Sequence, residues 1–262
     1  MISVTSAQLT AWIAAFIFPL ARILALISSA PILGNKQIPI RIKISLAMLL
    51  TVIIAPNMTV PTDIDPASAQ GLLILVQQIL AGLVMGFAMR LIFTAVEMAG
   101  DLAGMQMGLG FASFYDPVNA SYTPVIAQFL GILATLAFLG MNGHLYMLAA
   151  LADSFQAFPI NAALPSAIAF RTLTEWGSTI FMHALQFSMP IIGALMITNL
   201  ALGILTRSAP QLNIFAVGFP ITLTVGFATL ALTLPYLAPM LDHVVSESLD
   251  MMQRLALQMA KK

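Results

Sequence analysis

GLGFASFYDPVNASYTPVIAQ, Gly108 to Gln128, interrupts a chain that is otherwise close to continuously apolar. Glycines, an Asp-Pro pair and a run of small polar residues punctuate a helical pattern rather than extend it. Irregular backbone facing lipid leaves its peptide groups unpaired. At membrane depth it occurs only where protein or a water-filled cavity surrounds it. The stretch therefore reads as a segment that lines, or plugs, a hole.

The rest of the sequence supplies the membrane around that hole. Of 262 residues 60% are hydrophobic and 8% charged, with a mean hydropathy of +0.98. Soluble domains carry about 25% charged residues, and a core of this length could not hide so much apolar surface. An integral membrane protein is expected. Ten basic residues balance ten acidic ones, so there is no electrostatic footprint for nucleic acid. Cysteine is absent, which removes disulfides, thiolate metal sites and thiol nucleophiles together. The first nineteen residues have no Lys or Arg before their apolar run and no clear cleavage site, so they read as a membrane segment that stays.

Apolar segments run Ala7–Ala30, Ile44–Ala55, Gly71–Met98, Pro124–Leu139, Leu145–Ala152, Thr179–Leu205 and Leu212–Leu234. A spanning helix needs about 20 apolar residues. Ile44–Ala55 and Leu145–Ala152 fall short, and the estimate is five to seven spans. Lys36, Arg41 and Lys43 cluster in the first connection, whereas PNMTVPTDIDP, the second, carries only Asp63 and Asp65. The basic excess puts the first loop in the cytoplasm and the amino terminus outside. Asp242 to Lys262 spaces apolar residues at helical intervals among charges, which predicts an amphipathic helix at the cytoplasmic face or against a partner. Pro190, Pro220, Pro235 and Pro239 interrupt or bound apolar runs, so bent or broken helices are expected in the C-terminal third.

Catalytic apparatus is missing: there is no H-E-x-x-H, G-x-S-x-G or Walker lysine loop. His144, His183 and His243 are scattered and read as satisfied polar contacts, so neither a metal nor a cofactor is expected. Ionisable residues inside apolar segments are costly and face protein or water. Arg90, Glu97 and Asp101 lie on one helical pattern. Arg90 and Glu97 share a face two turns apart, while Glu97 and Asp101 repel at i,i+4. Interhelical ion pairing is preferred to a proton relay for these three, and for Arg22 and Arg207.

Gly100, Gly104 and Gly108 form a G-x-x-x-G-x-x-x-G ladder, and Gly82 with Gly86 a second pair; such spacing lets two backbones approach. Five of the seventeen methionines (Met85, Met89, Met98, Met105 and Met107) share one segment. Near Phe111, Phe114 and Tyr115 these thioethers form either a deformable seal, with Met105 and Met107 at its edge, or plain core filling.

Three blocks then make the chain recognisable. EMAGDLAGMQMGLGFASFYDPVNASYTPVIAQ with FLGMNGH, RILALISSAPILGNKQIPIRIK near the start, and TRSAPQLNIFAVGFPITLTVG near the end resemble the FliR family of bacterial flagellar export-gate proteins. The blocks keep that family's order, so the resemblance is essentially full length; the related injectisome subunit shares the first two more loosely. The resemblance implies an all-α fold of hydrophobic helical hairpins, built like a fusion of a FliP-like portion (1–170) and a FliQ-like portion (171–262). One copy would join several FliP-like and FliQ-like subunits in a helical, pore-forming membrane ring, with an FlhB-like subunit added later.

By the same resemblance Gly108–Pro117 matches the plug loop, about residues 106–123, which closes the pore on its inner side. Gly108 and Gly110 would supply hinge freedom, and Phe111, Phe114 and Tyr115 the bulk. Asp116-Pro117 would supply a fixed turn. Unfolded flagellar proteins would pass as the plug swings aside, driven by the proton gradient and an ATPase elsewhere in the apparatus. The rival readings are an injectisome subunit and a secondary transporter. For the latter only a faint repeat exists, SAPILGNKQIPI against SAPQLNIFAVGFPI, with mismatched proline spacing.

Overall fold

A computed structural model describes residues 5–58, 61, 64–111, 124–161, 165–211 and 214–260. Among these the chain is all-α, with no strand. Eight helices follow one another: α1 Ser6–Ser29, α2 Ile40–Ile54, α3 Ala69–Gln106, α4 Val125–Gly140, α5 Gly143–Ala157, α6 Ala167–Gly177, α7 Thr179–Ser208 and α8 Ile214–Met259. A 3₁₀ turn, Ala55–Asn57, ends α2, and another, Leu109–Phe111, follows α3.

Local chemistry sets several boundaries. Thr5 and Gln8 form a reciprocal capping box, Oγ1 accepting from the Gln8 N–H and Oε1 from the Thr5 N–H. This satisfies two donors that a helix start would otherwise orphan. Ser166 caps α6 by accepting from the Ile168 N–H. Between α4 and α5 Asn142 adopts the left-handed region at φ 58°, a conformation Asn tolerates better than most residues. The two helices meet there at a 66° bend.

Four helical stretches among the described residues are long and apolar enough to cross a membrane: Gln8–Ser29, Ala69–Gln106, Ala167–Ser208 and Ala216–Met259. Counting the bent pair α4–α5 as one makes five, the lower edge of the sequence estimate. The 15-residue α2 reaches only about 22 Å at 1.5 Å per residue, short of a hydrocarbon core of about 30 Å. The prolines do not break the chain where expected. α7 runs on through Pro190, and α8 through Pro220, Pro235 and Pro239. Each proline removes one helical hydrogen bond without ending the helix.

The chain forms two compact units. One comprises residues 1–91, 142–178 and 245–262, and the other residues 92–141 and 179–244. In the first, α2 packs on α1, and α3 crosses α1 closely. A Cβ at Gly82 would strike the Arg22 carbonyl, and one at Gly86 the Ser29 hydroxyl. Trp176 Nε1 of α6 donates to the Ala88 carbonyl at 3.3 Å. Residues 245–259 close α8, with Val245, Met252, Leu255, Ala256 and Met259 buried in this unit. The amphipathic terminus is therefore the end of a 46-residue helix with its apolar face inside the chain's own fold. Burial against its own neighbours already satisfies that face. In the second unit α3 continues against α4, with Phe93 and Phe138 in edge-to-face contact at 5.6 Å. A cavity of about 130 Å³ lies beside Pro190, walled by Leu130, Phe187, Leu230 and Tyr236.

Candidate functional site

The end of α3 delivers the chain to the irregular stretch. The Met107 N–H closes the last helical turn on the Ala103 carbonyl at 2.9 Å, and Gly108 N–H reaches the Met105 carbonyl at 3.0 Å. Gly108 then takes φ 85°, left-handed backbone that a side chain would strain. The helix stops there for a conformational reason legible in the residue itself. Leu109–Phe111 adds one 3₁₀ turn, and a Cβ at Gly110 would meet nothing within 4 Å. Phe114, Tyr115, Asp116 and Pro117 lie outside the described residues, as does the Phe111 side chain.

The root of this stretch is seated on α8. Met107 is fully buried, whereas Met105, two residues earlier, is 53% exposed. The Met107 side chain fills the space left by the missing side chain of Gly226, and its carbonyl accepts from Thr222 Oγ1 at 3.2 Å. Nothing in the sequence pairs residues 107 and 226. Met85 and Met89 are core residues of the first unit, and Met98 is half-buried.

One turn before the root, α3 lies close on α4. A Cβ at Gly100 would be driven into the Ala127 backbone, while one at Gly104 would meet Ile126 at an ordinary 3.7 Å. The close crossing is thus at Gly100. Glu97 lies over Gly131 of α4, 3.5 Å from where a Cβ would stand.

Along this part of α3 Phe87, Arg90, Thr94, Glu97 and Met105 are exposed, with half-buried Asp101 between the last two, and Gln106 is exposed at its end. The steps of three and four residues from Phe87 to Met105 place these on one face. That face is polar from Arg90 to Asp101 within a helix whose mean hydropathy window is 2.2. None of Arg90, Thr94, Glu97 and Asp101 is without a polar partner. Arg207 is exposed on the last turn of α7, where a cation suits the negative end of the helix dipole. Among the described residues Arg171 and Glu175 form an exposed i,i+4 ion pair at 3.0 Å.

Arg22 overturns the ion-pair expectation, since its guanidinium is fully buried and, among the described residues, meets no carboxylate. Nε donates to Gln78 Oε1 at 2.8 Å, and one terminal nitrogen donates to the Ser154 carbonyl at 2.8 Å and Oγ at 3.2 Å. The other donates to the Phe158 carbonyl at 2.7 Å. Phe155 lies under it, 4.2 Å from ring centre to Cζ. Ser154 and Phe158 stand at the C-terminal end of α5, so the charge is offset by a helix dipole, a π face and neutral oxygens. His183 Nδ1 lies 3.2 Å from Gln186 Oε1, a contact within α7.

Residues 13–248 match the family described as Bacterial export proteins, family 1. The chain belongs to that family. Among its relatives, the flagellar biosynthetic protein FliR of Escherichia coli (strain K12) is 44% identical over 252 residues, covering 96% of both chains. The FliR of Pectobacterium carotovorum subsp. carotovorum is 45% identical over 261 residues, covering 99% of both. That of Bacillus subtilis (strain 168) is 29% identical over 245 residues, 92% of this chain and 94% of the other. Membership makes the chain a multi-pass inner-membrane component of a flagellar export apparatus, in a family of export proteins rather than enzymes.

Proposed function

We propose that the chain is the single-copy subunit of the flagellar export gate that lines the protein-conducting channel and carries its plug. The observation behind this reading is the exposed polar face of α3. Arg90, Thr94 and Glu97 project from an apolar helix into the outside of the fold, and such groups are not presented to lipid. Each has a partner within the chain, and its exposed surface is turned toward water in a conduit or a neighbouring subunit. The same face runs down to Met105 and the seated root at Met107–Gly108. Exposed apolar side chains on α3 extend from Leu72 to Met105, about 50 Å at 1.5 Å per residue. A core of about 30 Å crossed at a 40° tilt covers only about 39 Å. Protein partners are needed for the remainder, and FliP-like, FliQ-like and FlhB-like subunits are the expected ones. The division at residue 170 into two portions belongs to the same proposal.

In this reading residues 106–123 stopper the pore, Phe111, Phe114 and Tyr115 supplying bulk and Asp116-Pro117 the turn. Removing residues 111–116 from the assembled gate should make cells permeable to ions and small solutes. Unchanged permeability in cells that still assemble the gate would discard the plug. A crosslinker at Phe114 should trap exported flagellar protein in transit.

A further inference from the structure

The tip joining α1 to α2 carries a surface that the channel reading does not use. Its backbone is internally satisfied: the Gly34 N–H reaches the Ala30 carbonyl, Ile38 N–H the Asn35 carbonyl, and Gln37 N–H the Asn35 side chain. Lys43 Nζ braces it by donating to the Gly34 carbonyl at 2.9 Å. Lys36 and Arg41 project from this rigid turn into solvent, and among the described residues no carboxylate lies within ion-pair distance of either. Acidic residues are absent from the first 62 positions. The local charge is therefore wholly positive and unopposed within the tip.

Beyond the cations the exposed side of α2 turns apolar. Ile42, Met48, Leu49, Val52 and Ile53 are exposed, Val52 at 62% and Ile53 at 60%, while Ala47 and Thr51 on the other side are buried. The exposed positions advance in helical steps, so they form one stripe. From Arg41 to Ile53 this stripe is about 18 Å long at 1.5 Å per residue. Half of a 30 Å hydrocarbon core is about 15 Å. Head charge and tail length thus match one phospholipid in one leaflet.

We propose that the α1–α2 tip is a binding site for an anionic phospholipid. Lys36 and Arg41 hold the headgroup phosphate, Lys43 fixes the turn that presents them, and one acyl chain lies along Ile42, Leu49 and Ile53. A basic residue at an anionic lipid surface changes affinity about fivefold, so removing two changes it about 30-fold.

The test uses the full chain in mild detergent, with lipid retention read by native mass spectrometry. Dioleoyl-phosphatidylglycerol should be retained in preference to dioleoyl-phosphatidylcholine, and K36Q/R41Q should weaken phosphatidylglycerol retention by about 30-fold. K36R/R41K should keep it, and R254Q, at an exposed position elsewhere, should not change it. L49Q/I53Q should weaken both lipids. Equal retention of the two lipids, or retention indifferent to K36Q/R41Q, overturns the proposal. If inorganic phosphate displaces phosphatidylglycerol at equal concentration, the site takes free anions and the lipid assignment falls. It falls equally if K36Q/R41Q leaves lipid in place and releases a co-purifying acidic protein.

Discussion

Arg22 and Arg90 are the same residue type in two apolar helices, and the fold treats them oppositely. Arg22 is sealed inside the first unit with three neutral partners and an aromatic face. Arg90 stands on an exposed face that continues through Thr94 and Glu97. A charge sealed beneath its own chain is fixed by that chain alone. A charge at an exposed position on an otherwise apolar helix, although it too has a partner within the chain, also faces whatever surrounds the chain. On the proposed reading the contrast in burial separates residues that build this subunit from residues that serve its assembly.

The contrast breaks most visibly at Arg22. Arg22→Ala leaves the Gln78 amide oxygen and the Phe158 carbonyl buried without this donor, and the Ser154 carbonyl with only the Phe158 N–H; at about 1–3 kcal/mol per orphaned acceptor it should cost about 2–6 kcal/mol. Thermal unfolding of the purified chain in detergent measures this. Arg22→Lys should fall between, since one ammonium cannot reproduce a planar fork serving three residues. If Arg22→Ala unfolds at the wild-type temperature, the cage is not structural.

A smaller effect is expected at the seat of Met107. Gly226→Ala pushes a methyl into the Met107 side chain, and overpacking of this kind costs about 1–3 kcal/mol. Met107→Ala makes a cavity of its own, but it should relieve the clash, so the double variant should be more stable than the sum of the singles. Additive losses would mean that the two residues do not meet.

The smallest stability change belongs to the exposed stripe. Glu97→Gln should move the unfolding of the isolated chain by no more than about 0.5 kcal/mol, as for a surface substitution. It should nonetheless reduce flagellar protein export, or co-purification with neighbouring subunits, in cells. A loss of chain stability as large as that of Gly226→Ala would place Glu97 among the building residues and erase the distinction.

The sequence reveals the features that depend on neighbours a few residues away. Helical spacing puts Arg90 and Glu97 on one face, and α3 carries both at exposed positions. Apolar length identifies the spanning helices, and α2 is as short as its run of hydrophobic residues implied. Gly108 marks the end of α3 because its backbone, not its surroundings, imposes the requirement. What escaped were contacts across long separations. The acceptors for Arg22 lie 56, 132 and 136 residues away, so an ion pair was the natural guess for a charge whose partners are neutral carbonyls and an amide. The sharp bend is at Asn142, a residue without proline's signature, while Pro190, Pro220, Pro235 and Pro239 sit inside unbroken helices. The terminal segment reads as a surface helix from its own pattern. Only the fold shows that its greasy side is already covered.

The cage around Arg22 also has a consequence for how the chain is made. Ribosomes extend a protein by about 5–20 residues per second, so Phe158 follows Arg22 out of the tunnel by roughly 7–27 s. During that interval α1 carries a bare guanidinium, which disfavours insertion by about 2.5–3.5 kcal/mol when it lies near the middle of a membrane helix. The Leu, Ile and Phe side chains of α1 offset that cost at about 0.3–0.6 kcal/mol each, so α1 can insert first, and its guanidinium gains its acceptors only when α3 and α5 arrive. The cage is thus closed only by synthesis of the middle of the chain, and a truncated chain that ends before Ser154 should be recognised as incomplete and degraded.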